Sequence, residues 1–188
     1  MQRRETLKAG LASLGALARW SAGFIPVTAS ASCVSRLRIK LVAALRSIDN
    51  AACAATATRL EASLHHEDGR LHLRGAGLTT SDTAVFANTL RSLTAAETSK
   101  LVSLSLSDNK DVGNIGAVHL ARALPKNLPE RGLVGCKIGE TEGTALFEWA
   151  RKSTHLRMLC VEGNNFPREL VTRFRALPRT RPHLNVYV

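Results

Sequence analysis

The side chains able to do chemistry in this sequence are few, and their spacing decides what each can do. His65, His66, Glu67 and Asp68 form the densest run of metal-ligating types. Adjacent side chains diverge and no second ligand cluster stands elsewhere, so the run reads as a solvated turn and no metal is expected. Ser103, Ser105 and Ser107 alternate with leucines. No histidine and acid stand at a readable spacing to activate a hydroxyl, so no catalytic residue is assigned. Cys33, Cys53, Cys136 and Cys160 contain no C-x-x-C pair, which leaves thioredoxin-like and zinc-ribbon chemistry without support. An even number of cysteines permits disulfides in an oxidising compartment. Cys33–Cys53 is the first pair to test, while Cys136 reads as a small buried hydrophobe. Arg168, Arg173, Arg175, Arg179 and Arg181 make a basic C-terminal patch. It can meet phosphates or anionic lipid, or line a solvated helix face, but it lacks the interleaved aromatics of a nucleic-acid groove. No glycine-rich phosphate loop is present and no cofactor is expected.

The elements that position these residues must come from a chain of 188 residues, a one-domain length. Apolar residues make up 45% but aromatic ones only 4%, so the core is built of Leu, Val and Ala, which suits thin regular layers. The formal net charge of +11 favours acidic partners.

The first 31 residues stand apart. Arg3, Arg4, Lys8 and Arg19 face one acid, Glu5, and a weakly apolar stretch from Ala9 to Val27 ends near Pro26. Arg3 and Arg4 followed by Leu7 and Lys8 resemble the bacterial twin-arginine export signal, with Thr6 departing from its usual apolar position. Ala29, Ser30 and Ala31 supply a small-x-small cleavage site that would leave Ser32 as the new terminus. The same composition also fits a mitochondrial transit peptide or a plain cytoplasmic tail, and Ser30–Cys33 bears a faint likeness to a lipoprotein cleavage site. Arg19 and Pro26 argue against an integral membrane anchor.

Downstream, one pattern recurs. Leu101, Leu104, Leu106 and Asn109 are followed by Val112, Gly116, Leu120 and Leu124. Leu128, Arg131, Leu133 and Cys136 lead to Ile138, Gly143, Leu146 and Phe147; Leu156, Leu159, Val161 and Asn164 lead to Phe166, Leu170 and Phe174. Upstream, Leu71, Leu73 and Ala76 lead to Leu78, Val85, Leu90 and Leu93. Leu73, Leu106, Leu133 and Val161 are equivalent strand positions, spaced by 33, 27 and 28 residues. The first interval is attributed to an extended polar connection from Ser92 to Lys100. A fifth strand, Leu184–Val188, places Val186 25 residues after Val161, with Pro178 and Pro182 bracketing the turn into it.

This pattern resembles the leucine-rich repeat, L-x-x-L-x-L-x-x-N/C-x-L, of the ribonuclease-inhibitor-like class, over residues 67–188. The resemblance implies an α/β fold: a right-handed solenoid, or short horseshoe, with a parallel sheet on its concave side and helices on its convex side. It also implies that Asn109, Cys136 and Asn164 form a structural ladder, turning inward to bond the turns of neighbouring coils. Ala76 departs from that ladder, which is expected to fray there. Arg131 occupies a position the repeat wants apolar, so its strand is irregular or the side chain snorkels out. Residues 32–66, with Leu37, Leu41, Val42, Leu45 and Ile48 at helical spacing, serve as a helical N-terminal cap.

Strand alternation then names the outward side chains: Arg70, His72 and Arg74; Ser103, Ser105 and Ser107; Glu130, Gly132 and Val134; Met158, Cys160 and Glu162; His183, Asn185 and Tyr187. That face grades from basic through small and polar to mixed with acid. The resemblance implies that a protein partner docks there, making the chain a non-enzymatic protein-interaction module. The alternative is a basic binder of nucleic acid or anionic surfaces, whose affinity would collapse with salt. If Arg3 and Arg4 direct export to the bacterial periplasm or beyond, replacing both by Lys leaves the protein in the cytoplasmic fraction. An unchanged distribution rejects the export signal.

Overall fold

Alternation of apolar and polar residues sets five short strands. A computed structural model describes residues 28–62 and 69–188. It places β1 at Arg70–His72, β2 at Ser103–Ser105, β3 at Glu130–Gly132, β4 at Met158–Cys160 and β5 at Asn185–Tyr187. All neighbouring pairs are parallel, in the chain order β1-β2-β3-β4-β5. A parallel neighbour needs a crossover rather than a tight turn. The crossovers carry α3 (Thr80–Arg91) and the one-turn α4 (Ala95–Thr98), then α5 (Gly113–Ala123), α6 (Glu140–Lys152) and α7 (Arg168–Thr180). Ahead of β1 stand α1 (Thr28–Arg46) and α2 (Ala51–Ala62). The protein is therefore an α/β fold with a five-stranded parallel sheet. The arginines at positions 3 and 4 and the run His65–Asp68 lie outside the described residues, and α1 runs through Ala29, Ser30 and Ala31. Among the described residues, no helix is long and apolar enough to cross a membrane.

One row of side chains points from every strand into the core. Register sets Leu71 level with Leu104, Arg131, Leu159 and Val186. Leu73, Leu106, Leu133 and Val161 extend a second row, all buried. Phe86 and Leu90 of α3, Leu120 of α5, Leu146 and Phe147 of α6, and Leu170 and Phe174 of α7 close over them. Each fully buried Leu or Phe is worth about 1.5–3 kcal/mol against exposure. Helix packing is tightened where glycine replaces a side chain. A Cβ on Gly116 would lie 2.6 Å from Thr83 Oγ1, and one on Gly143 would lie 2.5 Å from Phe166. Gly116 is thus a helix-contact residue, not a turn residue.

A second periodicity lies in the backbone. Gly75, Asp108, Gly135 and Gly163 all take positive φ, between 60° and 66°. The strand register makes these four the same position of successive units, just past each strand. That turn requires a left-handed residue, a conformation costly for side chains other than Gly, Asn or Asp.

The structure corrects several sequence expectations. The connection from Ser92 to Lys100 is not merely extended chain, because it holds α4. Thr94 and Glu97 form a capping box there, and Glu97 Oε2 also accepts from Lys40 Nζ of α1 at 3.0 Å. These bonds to the Thr94 backbone and to Lys40 hold the Glu97 carboxyl below its ordinary range. Pro178 sits inside the last turn of α7 rather than in the turn after it. Pro178 has no N–H to return to the carbonyl of Phe174, and α7 ends two residues later. In β5, Val186 pairs with Leu159, so Val188, not Val186, stands level with Val161. Cys53 is a buried free thiol, so the Cys33–Cys53 disulfide is not formed. Burial, then the Asp82 carboxylate, pushes the Cys53 thiol up to about 11.

Arg131 is the largest correction. β3 is regular and the side chain does not snorkel: Arg131 is 1% exposed, in the inward row between Leu104 and Leu159. Its one hydrogen bond is a long one, Nη1 to Leu104 O at 3.5 Å, and Nε and Nη2 have no partner. Burial pushes the guanidinium down to about 10 from its higher ordinary value, a penalty on the order of 3 kcal/mol. The folded state binds fewer protons than the unfolded one between those values. The penalty is therefore present in full below pH 10 and is relieved as pH rises above it. Replacing a poorly bonded buried ion with an apolar side chain of similar volume stabilises. Arg131→Met is expected to raise the stability measured by urea unfolding at pH 7 by about 2 kcal/mol; a lower midpoint would contradict this account of the site.

Candidate functional site

Among the described residues no helix covers the opposite face of the sheet, and register lays its side chains out as rows. Arg70, Ser103, Glu130, Met158 and Asn185 form one; His72, Ser105, Gly132, Cys160 and Tyr187 form the next. Extending the same register gives a third row of Arg74, Ser107, Val134 and Glu162.

The N-terminal side of this face is cross-linked. Arg70 Nη1 donates to Glu130 Oε2 at 3.1 Å, passing over β2 from β1 to β3. Beneath this bridge Ser103 is only 5% exposed, and its hydroxyl lies 2.8 Å from His72 Nε2. Arg74 Nε meets Asp108 Oδ2 at 2.6 Å. Ser105 Oγ donates to Ser107 Oγ at 3.3 Å, and Ser107 Oγ accepts from Val134 N–H at 3.1 Å, leaving Ser107 buried. A Cβ at Gly132 would lie 2.6 Å from Ser105 Oγ, so the missing side chain makes room for these hydroxyls. Sequence alternation places all three serines outward, but Ser103 and Ser107 are covered rather than accessible. The His72–Ser103 pair has the separation of a nucleophile and its base. Ser103 is roofed by the Arg70–Glu130 ion pair, and its burial keeps the hydroxyl from the open face.

The C-terminal side is different. Met158 is 37% and Tyr187 48% exposed, the large apolar side chains left open on this face. Cys160 lies half-buried between them in the register, and burial, then Glu162 and Glu130, raises its thiol above the ordinary value. Glu162 is exposed at the adjoining end of β4. The face is therefore a neutralised polar half beside a half with aromatic and thioether surface. Sequence reasoning misses Asp108, which cancels Arg74, and places Tyr187 outward without marking it as the one aromatic on the face. Asp108 carries no periodic signal as a carboxylate, because its position in the other units is glycine.

The rim of the face is held by inward-turned side chains. Asn109 is 1% exposed; its Oδ1 accepts from Leu78 N–H at 2.9 Å, and its Nδ2 donates to Leu73 O at 2.8 Å and Leu106 O at 2.7 Å. Asn164 Oδ1 accepts from the N–H groups of Cys136 and Ile138, both at 3.1 Å, and its Nδ2 donates to Leu133 O and Val161 O. Cys136 Sγ donates to Leu106 O at 3.2 Å. At Ala76, which has no such side chain, Asn50 Nδ2 of the segment between α1 and α2 donates to Ala76 O at 2.7 Å. The turn there is bonded from both sides instead of frayed.

The arginines of the C-terminal patch are mostly engaged. Arg181 donates to Ser153 O and Ala150 O at the end of α6. Arg173 reaches Glu148 and stacks 4.3 Å from the Phe147 ring centre. Arg175 donates to Val188 O. Among the described residues no group of three or more His, Cys, Asp or Glu converges to hold a metal. No protein-family model matches the chain, and no curated protein matches it.

The Asn109 amide makes a sharp prediction. Asn109→Asp keeps the acceptor for Leu78 N–H but sets a carboxylate oxygen against two carbonyls. It is expected to cost roughly 3 kcal/mol at pH 7 in urea unfolding. Part of that loss should be recovered at pH 4, where the buried carboxyl is protonated and donates again. Equal stability of the N109D variant and the wild-type chain at pH 7 would exclude the ladder role.

Proposed function

We propose that the chain is a leucine-rich-repeat solenoid of the ribonuclease-inhibitor-like class that works as a protein-interaction module, taking its partner on the concave face of the sheet. The observation that carries this reading is the outward face itself. Five parallel strands in chain order present in-register rows with no helix over them among the described residues, ending in the exposed pair Met158 and Tyr187. Support for the repeat class comes from Asn109, Cys136 and Asn164, which stand at the Asn/Cys position of the pattern and bond the neighbouring units' backbone.

Interface energy concentrates in aromatic and other large anchors surrounded by polar groups. Tyr187 and Met158 fit the anchor role; Glu130, Glu162, Arg70, His72 and Arg74 fit the rim. Binding rather than catalysis is the reading because the nearest thing to a catalytic pair, His72 and Ser103, is covered. Binding to polyanions is less well supported by this face, since Arg70 and Arg74 already have carboxylate partners. Export is part of the same proposal and rests on the sequence pattern of Arg3, Arg4, Leu7 and Lys8, the weakly apolar stretch after them and the small residues Ala29, Ser30 and Ala31.

Affinity purification with point variants tests the face. A partner held by the wild type should be lost by Met158→Ala/Tyr187→Ala and weakened by Arg70→Glu/Arg74→Glu. It should be retained by Ile115→Ser, a change on the exposed side of α5. A partner list unaltered by both face variants rejects the proposal.

A further inference from the structure

The two ends of the sheet are finished differently. At the β1 end, α1 and α2 bring Leu37, Leu41, Leu45, Cys53 and Ala57 into the same core cluster and close it. At the other end β5 is the sheet edge among the described residues. Val186 continues the inward row of Leu71, Leu104 and Leu159, and Val188 that of Leu106 and Leu133. Both are only half-buried, where those leucines are buried.

The hydrogen-bonding groups of β5 divide by side. Asn185 N–H donates to Arg157 O and Tyr187 O accepts from Val161 N–H, so these two residues face β4. In a parallel pair the intervening residues face the other way. The N–H and C=O of Val186 and the N–H of Val188 therefore point off the sheet. Edges of this kind are commonly blunted by Lys, Pro or a bulge within the strand. β5 has none of these.

Beside the edge, α7 turns Leu170, Phe174 and Leu177 to the core. Arg173 lies on its α6 side, held by Glu148. Helical geometry then puts Val171, Arg175 and Pro178 on the flank away from α6, with Arg168 and Arg179 next to them. Val171 and Pro178 are half-buried; Arg168, Arg175 and Arg179 are exposed. Arg175 reaches Val188 O, which fixes this flank next to β5. Glu169 is the only acid of the helix.

We propose that the open edge of β5 and the adjoining flank of α7 form a docking site for an extended acidic peptide segment, which adds to the sheet as a sixth strand. Main-chain bonds to Val186 and Val188 would hold its backbone. Its inward side chains would cover Val171, Val186 and Val188, and its carboxylates would meet Arg168, Arg175 and Arg179. This is the edge-addition mode of peptide recognition. Charge selects the occupant: a second copy of the chain would bring a second arginine-rich α7 against the first, whereas an acidic strand is attracted.

The probe is a fluorescein-labelled heptapeptide of alternating Glu and Val, with the Lys/Val peptide as control, titrated into the full chain by anisotropy. The acidic peptide should bind and the basic one should not. Arg168→Glu/Arg179→Glu, at two exposed side chains of the flank, should weaken binding at least tenfold. Amide exchange at Val186 in the wild type should slow when the acidic peptide is present. Val186→Pro, which removes the outward donor, should abolish binding if its melting curve remains cooperative. Should that variant not fold, exchange at Val186 in the wild type decides. Equal binding of the two peptides, or an unchanged Val186 amide at saturation, overturns the proposal. So does a concentration-dependent dimer that protects Val186 without peptide, which would make the occupant a second copy.

Discussion

A chain that leaves the sheet after every strand exposes carbonyls and amides to its own interior, and everything else depends on how those groups are bonded. Asn109 and Asn164 do this with one side chain each. The amide offers an acceptor and two donors, so a single residue can bond the backbone of its own turn and that of the preceding unit. Cys136 has one weak donor and bonds fewer groups. The stack is therefore tied most firmly at its second and fourth units. At the first unit the tie is made from outside, by Asn50. An unbonded buried amide or carbonyl costs about 1–3 kcal/mol, comparable with the gain from burying a leucine, so the polar row and the apolar rows are equal partners in the fold.

Much of this is legible in the sequence because it is periodic. Leu104 and Leu106, or Leu159 and Val161, mark strands by alternation, and intervals of 27 and 28 residues mark their equivalence. The residues at the Asn/Cys position follow at a constant offset. What is not legible is either masked or non-local. The left-handed turn position recurs as Gly75, Gly135 and Gly163, but Asp108 breaks the series, and a φ preference shared by Gly and Asp is not visible in residue type. The bridges Arg70–Glu130 and Arg74–Asp108 depend on which strands end up adjacent, and no local pattern encodes that. Arg131 stands out of place in the pattern, yet a local rule favours pulling its charge to solvent. The strand on either side prevents it. In β5 the alternation Leu184, Val186 and Val188 does not by itself say which valine stands level with Val161.

Charge also reads differently once paired. The excess of basic residues suggests a broadly positive surface, but the arginines on the open sheet face are matched by carboxylates, and several near the C-terminus bond backbone or ring instead. What is left over is concentrated on one flank of α7, next to β5, an edge of the sheet among the described residues. A uniform net charge would favour any anion through long-range attraction. A localised remainder beside unpaired strand backbone favours a ligand with both an extended main chain and acidic side chains.

Arg131 gives the molecule an uneven grain. In the repeat solenoid proposed above, each joint would contribute its own share of cohesion, and opening tends to nucleate where that share is smallest. The guanidinium lies in the middle unit, flanked on one side by the units tied to α1 and α2 and on the other by those packed on Phe166 and Phe174. The weak joint is thus central rather than terminal. Under heat or denaturant the array should part into two blocks before either block frays from its outer end.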